Sequence, residues 1–327
     1  LLIMPRVTVI IPNYNHAQYL ARRIESVLSQ TFQDFDLILM DDASTDDSQR
    51  IIASYASGPR VRILLNSTNS GSTFKQWNKG IAAASGEYIW LAESDDYADV
   101  RFLEKLAPVL ENNPNVGLVM CESRVIDEDD RVLRTTHDDV KFDVDATRWK
   151  RDFIANGPEL CRGVLTAQNV VHNASAVLFR RSLYNAIGGA DETMRVNGDW
   201  KLWAMMLMGS DLGHVADPLN FFRTHQRTVR VSSKLLISMS ENLQVRAMIR
   251  HKMNAPLIPL RKTDAWLAEV LIHDWAHGTK EERRSLQCLF GEICRFDPGF
   301  RWYLVRRALE RTVGRIIRGG RPPRKLP

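Results

Sequence analysis

The chain has 327 residues, 44% hydrophobic and 25% charged, proportions that exclude wholesale disorder, a collagen-like repeat and a disulfide miniprotein. No apolar run approaches the roughly 18 residues of a membrane-spanning helix; the longest, such as Val7–Pro12, are strand-sized. The net charge of +5 is uneven: residues 300–327 hold nine Lys/Arg against Glu310, so that end carries +8 and the rest −3.

The start, Leu1-Leu2-Ile3-Met4-Pro5-Arg6, enters a strand pattern without a secretory leader, which sets the expected location in the cytoplasm. Val7–Ile11 reads as a strand, followed by a helix over Ala17–Gln30 with Leu20, Ile24, Val27 and Leu28 on one face. Strands at Leu37–Met40, Val61–Leu65, Tyr88–Leu91 and Val116–Met120 alternate with helices at Ser48–Tyr55, Phe74–Ala84 and Phe102–Leu110. This alternation predicts an α/β fold, Rossmann-like, with a mostly parallel central sheet covered by helices. Beyond Val125 the pattern turns irregular, with hairpin-like residues at Asp127–Leu133, a strand near Ala174–Phe179 and a helix over Asp199–Met208. Helices then follow at Leu235–Lys252, Thr263–His277, Lys280–Cys294 and Phe300–Arg318. The expected organisation is an α/β domain over 1–230 and a C-terminal α-helical region over 231–327.

Trp302, Leu304, Val305, Leu309, Val313, Ile316 and Ile317 recur at helical spacing among the basic residues. That pattern favours an amphipathic helix on a membrane surface or a partner over a nucleic-acid arm. Cys121, Cys161, Cys288 and Cys294 contain no Cys-x-x-Cys and read as reduced, mostly buried thiols.

Ligands of parallel sheets sit beyond the carboxyl ends of the strands, and there the chain places acid: Asp41-Asp42 after one strand, Glu93-Ser94-Asp95-Asp96 after another. Adjacent carboxylates repel unless a cation lies between them, and oxygen-only donors suit Mg²⁺ or Mn²⁺ shared with substrate phosphates. Asp199 opens an apolar-periodic helix, as an N-cap or as a general base with Gly198 permitting close approach of substrate. Trp149, Trp200 and Trp203 are candidates for stacking on a sugar or for core packing. Gly-x-Gly-x-x-Gly, the P-loop, His-Glu-x-x-His and Gly-x-Ser-x-Gly are all missing, which removes the usual dinucleotide, NTPase, zincin and serine-hydrolase fingerprints.

Taken together, Val7–Asn15, Ile24–Phe32, Leu39–Asp46, Asn69-Ser70-Gly71, Gly86–Asp96, Gly188–Glu192, Gly198–Trp203 and Phe222–His225 resemble the family 2 glycosyltransferases of the GT-A fold. The resemblance implies a nucleotide-sugar donor site, with Pro12, Tyr14, Asn15, Asn69 and Gly71 around the nucleotide and Asp42 hydrogen-bonding the base. It implies Asp95 at the ribose, Asp96 on Mg²⁺ or Mn²⁺, and Asp199, beside Trp200, as general base. Arg223 and His225 would approach the diphosphate and metal, and Glu93 stands where the family usually shows Asp. The implied reaction is an inverting single displacement onto a glycan or lipid-linked acceptor at the inner face of the membrane, without nucleic acid. An inactive scaffold on the same fold is one rival. A nucleotidyltransferase is the other, although Pro12–Gln18 holds no Gly, Lys or Arg for a triphosphate loop.

Overall fold

The computed structural model describes residues 5–143, 145–224 and 235–317. The chain divides into two compact units, Leu1–Lys234 and Leu235–Pro327.

In the first unit β1 (Val7–Asn13), α1 (Ala17–Leu28), β2 (Phe35–Asp41), α2 (Ser48–Ser54), β3 (Val61–Leu65), α3 (Thr73–Ala83) and β4 (Tyr88–Leu91) alternate regularly. They are followed by β5 (Tyr97–Ala98), α4 (Phe102–Asn112), β6 (Val116–Ile126), β7 (Val132–Thr135), β8 (Phe153–Ala155) and α5 (Gly157–Arg162). The unit closes with β9 (Val177–Arg180), α6 (Arg181–Ala186), α7 (Gly198–Leu207) and β10 (Asp211–Arg223). The sheet runs β3-β2-β1-β4-β9-β6-β10-β5, with β7 on β6 and β8 on β10. β3-β2-β1-β4 and the β6-β10 pair are parallel, whereas β9 runs antiparallel to both its neighbours.

β1 and β4 are buried along their whole length, as strands covered on both faces must be, which is why they read as continuous apolar runs. Their register has a direct consequence for the site: β1 pairs with β2 so that Asn13 lies opposite Asp41. Under the sheet Trp90 stacks on Phe102 with centroids 4.1 Å apart. The buried Arg23 guanidinium lies 5.0 Å from the Trp90 ring. Trp149, Trp200 and Trp203 are all buried, so the core reading holds and the sugar-stacking reading does not.

The irregular stretch conceals β8, α5, α6 and the longest strand, β10. Its apolar pattern is interrupted by Pro218, where the β6 register shifts; proline has no N–H for the ladder, so the strand bulges there. β10 then pairs Phe221 with Tyr97 of β5, immediately after the acidic loop, and so carries Arg223 to that loop.

The second unit comprises α8 (Leu235–Met253), α9 (Leu260–Thr263), α10 (Trp266–His277), α11 (Lys280–Phe296) and α12 (Phe300–Ile317). Its core includes Leu243, Leu260, Leu267, Leu289, Ile293 and Phe300. α11 starts on a capping box in which Thr279 and Glu282 each accept from the other's backbone N–H, satisfying two helix-end donors. Asp297 accepts from the Leu260 N–H at 2.8 Å and so ties α9 to the end of α11. On α12, Trp302, Val305 and Leu309 are 72%, 46% and 62% exposed. No described helix is long and apolar enough to cross a membrane. Cys121 and Cys161 are buried, Cys294 is partly buried, and Cys288 is exposed against expectation.

Candidate functional site

The loops leaving β1 to β4 line a cavity of about 490 Å³. Pro12, Asn13, Tyr14, Asn15 and His16 enter it from β1, Asp42 from β2, Asn69, Gly71 and Ser72 from β3, and Glu93 and Ser94 from β4. Thr73, Phe74 and Gln76 of α3 complete one wall, and Met194 and Arg195 another. Tyr14 keeps 45% of its surface exposed, a ring open to stacking.

Hydrogen bonds fix this lining. Asn15, at φ 56°, takes the Thr45 N–H on its side-chain oxygen at 2.8 Å, while its own N–H donates to Ser44 Oγ at 2.9 Å; asparagine is among the few residues that tolerate this left-handed region. Gly71 also has positive φ, +67°, and donates its N–H to Asn69 Oδ1 at 2.8 Å. His16 Nδ1 bonds Ser94 Oγ at 2.9 Å and joins the first loop to the acidic one.

Asp42, the residue expected to bond a base, is 4% exposed and otherwise engaged. Its Oδ1 accepts from Asn66 Nδ2 at 2.5 Å, the Ser70 N–H at 2.9 Å and Gln76 Nε2 at 2.9 Å. Its Oδ2 accepts from Ser70 Oγ at 2.7 Å and Asn69 Nδ2 at 3.2 Å. A carboxylate offers about four lone-pair sites, so these donors fix Asp42 within the cavity wall. Asp41 likewise accepts from Asn13 Nδ2, the Ser44 N–H and Gln49 Nε2, each at 2.9 Å.

The acidic loop separates three carboxylates. Glu93, on the cavity wall, accepts from Trp77 Nε1 at 2.7 Å. Burial, then the charges of Asp95 and Asp96, push its carboxyl up to about 8. Asp96 is 2% exposed; its Oδ2 accepts from Asn173 Nδ2 at 2.9 Å and its Oδ1 from the Arg223 N–H at 2.8 Å. Burial and Asp95 raise it to about 6. Both Asp96 oxygens accept from protein donors, so the residue expected at the metal also locks the loop to β10. Asp95, half-buried, stands between these two acids. Arg23 offsets part of the negative charge from below; burial lowers its guanidinium to about 10, against the pull of Asp96, Glu93 and Asp95.

Arg223, expected at a diphosphate, is 2% exposed. Its Nε donates to the Asp95 carbonyl at 2.9 Å, Nη1 to the Asp127 carbonyl at 2.8 Å and Nη2 to Asp130 Oδ1 at 2.5 Å, and the guanidinium sits 4.4 Å from the Tyr19 ring. It is a buried strap under the acidic loop. His225 lies outside the described residues.

Asp199 stands in the first turn of α7, two residues after the Asn197 cap position, so the N-cap reading is also corrected. Its Oδ1 accepts from the Trp200 N–H at 2.7 Å, and Asn169 Nδ2 lies 3.5 Å from Oδ2. Gly198 serves packing: an added Cβ would lie 2.5 Å from the Phe74 ring, so glycine lets α7 rest on the cavity wall. Lys201 on α7 pairs with Asp191 at 2.5 Å. That bond and one from Thr193 hold the Asp191 carboxyl down at about 2, pinning the segment that carries Met194 and Arg195.

The lining residues missed in the sequence are His16, Ser72, Thr73, Phe74, Gln76, Met194 and Arg195. His16 follows directly from the loop after β1; nothing in periodicity marks the others. Among the described residues no cluster of three or more His, Cys, Asp or Glu is arranged to enclose a metal ion. The donor set at the loop instead suits a hard cation completed by substrate oxygens.

The sheet order and the placement of the cavity are those of the GT-A fold. The family model described as glycosyl transferase family 2 matches residues 8–187, more than half of the chain, and the chain belongs to that family. Glycosyltransferase GlyG of Streptococcus pneumoniae serotype 4 is 39% identical over 101 residues, covering 31% of this chain and 33% of that protein. The chain spans from a third to under half the length of three such curated relatives. Among solved structures, S. aureus TarS 1–349 in complex with UDP-GlcNAc matches with TM-score 0.65 and 18% identity, over 89% of this chain and 81% of that one. The mannosyltransferase PcManGT of Pyrobaculum calidifontis, in complex with GDP-Man and Mn²⁺, matches with TM-score 0.56 and 17% identity, over 94% and 87%. At such identities the likeness is one of fold.

Proposed function

We propose that the protein is an inverting glycosyltransferase that moves a sugar from a UDP-sugar, or a related nucleoside-diphosphate sugar, to a hydroxyl of a glycan or lipid-linked acceptor. The observation that carries this reading is the cavity beyond β1 to β4, polar and aromatic on one wall and closed by the acidic loop on another. Tyr14 offers a stacking face, and Asn69 and Gly71 shape the nucleotide wall. Mg²⁺ or Mn²⁺ would be held at the acidic loop by Asp96, with Asp95 and Glu93 beside it, and would supply charge neutralisation for the departing diphosphate. Burial first, and then the neighbouring acids, raise Glu93 and Asp96, and a cation at the loop would offset the repulsion among them.

Asp199 removes the acceptor hydroxyl proton as that oxygen attacks the anomeric carbon from the face opposite the diphosphate. One carbon–oxygen bond forms as the other breaks, so the configuration inverts. Arg195, on the cavity wall, brings a cation to the ligand.

Calorimetric titration of UDP, dTDP and GDP, each with and without Mn²⁺, on the parent and on Asp96→Ala tests the donor site. Selective binding that tightens with Mn²⁺ is expected, and Asp96→Ala should lose the increment from the metal. Failure of all three nucleotides to bind the parent would reject the reading.

The exposed Trp302, Val305 and Leu309 stripe, within a segment whose sequence carries +8, supports docking of α12 on an anionic membrane surface. Flotation with vesicles containing a third anionic lipid should recover the protein, and removal of residues 300–327 should abolish recovery. Equal binding to neutral vesicles would remove the electrostatic part of this proposal.

A further inference from the structure

One short segment, residues 169–175, reaches two acids of the site that are far apart in sequence. Asn169 and Asn173 each close the same turn: Asn169 Oδ1 accepts from the Val171 N–H at 3.1 Å and Asn173 Oδ1 from the Ser175 N–H at 2.5 Å. An amide's oxygen and nitrogen are ordinarily interchangeable in a structure, but a backbone N–H only donates and a carboxylate only accepts. Each carbonyl is thus committed to its turn, and each NH₂ group faces a carboxylate: Asn173 Nδ2 lies 2.9 Å from Asp96 Oδ2, and Asn169 Nδ2 lies 3.5 Å from Asp199 Oδ2. The segment itself is firmly held. Val170 and Val171 are wholly buried, the Ser175 carbonyl accepts from Trp90 Nε1 at 2.8 Å, and Ser175 Oγ accepts from the Glu93 N–H at 3.0 Å.

An amide that donates to a carboxylate favours its ionised form and sets the direction in which it points. The Trp200 N–H fixes Asp199 Oδ1 at 2.7 Å, and Asn169 addresses the other oxygen. Catalytic hydrogen bonds are commonly long before substrate binds, as the 3.5 Å separation is. We infer that Asn169 is a positioning residue for proton removal by Asp199: its amide sets the rotation of the carboxylate, and the segment it shares with Asn173 fixes that carboxylate relative to the acidic loop. The inference rests on the proposed role of Asp199 as base and adds the group that aims it. Asn169 is half-buried, not part of the core, so it can be replaced without opening a cavity.

Asn169→Asp separates aiming from turn-making. Aspartate closes the same turn, so a residue that only shapes the segment loses nothing by the change, whereas a second carboxylate facing Asp199 removes the donor and repels the base. Single-turnover release of UDP is followed with whichever of UDP-glucose, UDP-galactose and their N-acetylamino analogues the parent turns over, water standing in the acceptor's place, beside calorimetric UDP binding. Asn169→Asp should lower the rate at saturating donor by about tenfold or more, the usual effect of losing one hydrogen bond to a charged group, with UDP affinity unchanged. A parental rate overturns the inference and leaves Asn169 a turn-former, and so does a loss confined to UDP affinity. Should that variant not fold, Asn169→Ser serves instead: its hydroxyl accepts from the Val171 N–H, is too short to reach Asp199, and should again slow release. Placed on Asp199→Asn, Asn169→Ser should cost less than about twofold more, because no base is left to aim; an equal loss in both backgrounds overturns the inference. Full loss in Asp199→Asn beside an unaffected Asn169→Asp overturns the inference alone. Unchanged turnover of Asp199→Asn, or release from none of the donors by the parent, defeats the inference and the reading beneath it together.

Discussion

Asp199→Asn is expected to lower the rate of transfer by about 10²- to 10⁴-fold, the range of a positioned general base, with nucleotide affinity unchanged. The side chain stands in the first turn of α7, where the positive end of the helix favours an ionised carboxylate. The Trp200 N–H at 2.7 Å fixes one of its oxygens. Asparagine keeps the shape and can still accept that hydrogen bond, but it cannot take a proton at neutral pH. Gly198 against Phe74 and the Lys201–Asp191 pair also hold the turn in place, so the variant should fold, which a melting curve checks. Single-turnover release of UDP, followed beside calorimetric UDP binding, separates the two quantities. Unchanged turnover would take the base role away from Asp199; weakened UDP binding would make it a donor-site residue.

The regular alternation as far as β6 was legible because buried parallel strands are continuous apolar runs and their helices carry one apolar face. Val61–Leu65 and Tyr88–Leu91 have the same limits in sequence and structure, and α1 and α3 differ only by their frayed ends. β10 was illegible because Pro218 and the polar Asn220 break its pattern, and only pairing with β6 and β5 makes it a strand. The site shows the same division. Loops at strand ends could be located from topology, and Pro12, Tyr14, Asn15, Asp42, Asn69, Gly71 and Glu93 do line one cavity. What a one-dimensional reading could not supply is which acids face the cavity and which face protein donors. Asp95 and Asp96 are adjacent, yet a strand pairing 127 residues further on decides that Asp96 accepts from the Arg223 N–H.

Arg223→Met is expected to destabilise the first unit by about 3 kcal/mol, since it removes the charged hydrogen bonds of a buried guanidinium to half-buried acceptors. On a unit of this size that lowers the melting temperature by about 6–12 °C. The guanidinium is 2% exposed and ties the Asp95 carbonyl to the Asp127 carbonyl and the Asp130 carboxylate, joining the acidic loop to the turn between β6 and β7. Methionine fills much of the volume and satisfies none of these acceptors. Arg50→Met is the matched control: its partner Asp47 is on the same surface turn, both side chains are at least 70% exposed, and such pairs contribute about 0–1 kcal/mol. Thermal unfolding without ligand decides between the buried strap and a diphosphate-binding arginine, because a residue that reaches a ligand should leave the free protein's stability unchanged and weaken only UDP binding. A strap loses stability first, and it loses UDP affinity only to the extent that Asp95 moves when its carbonyl is released.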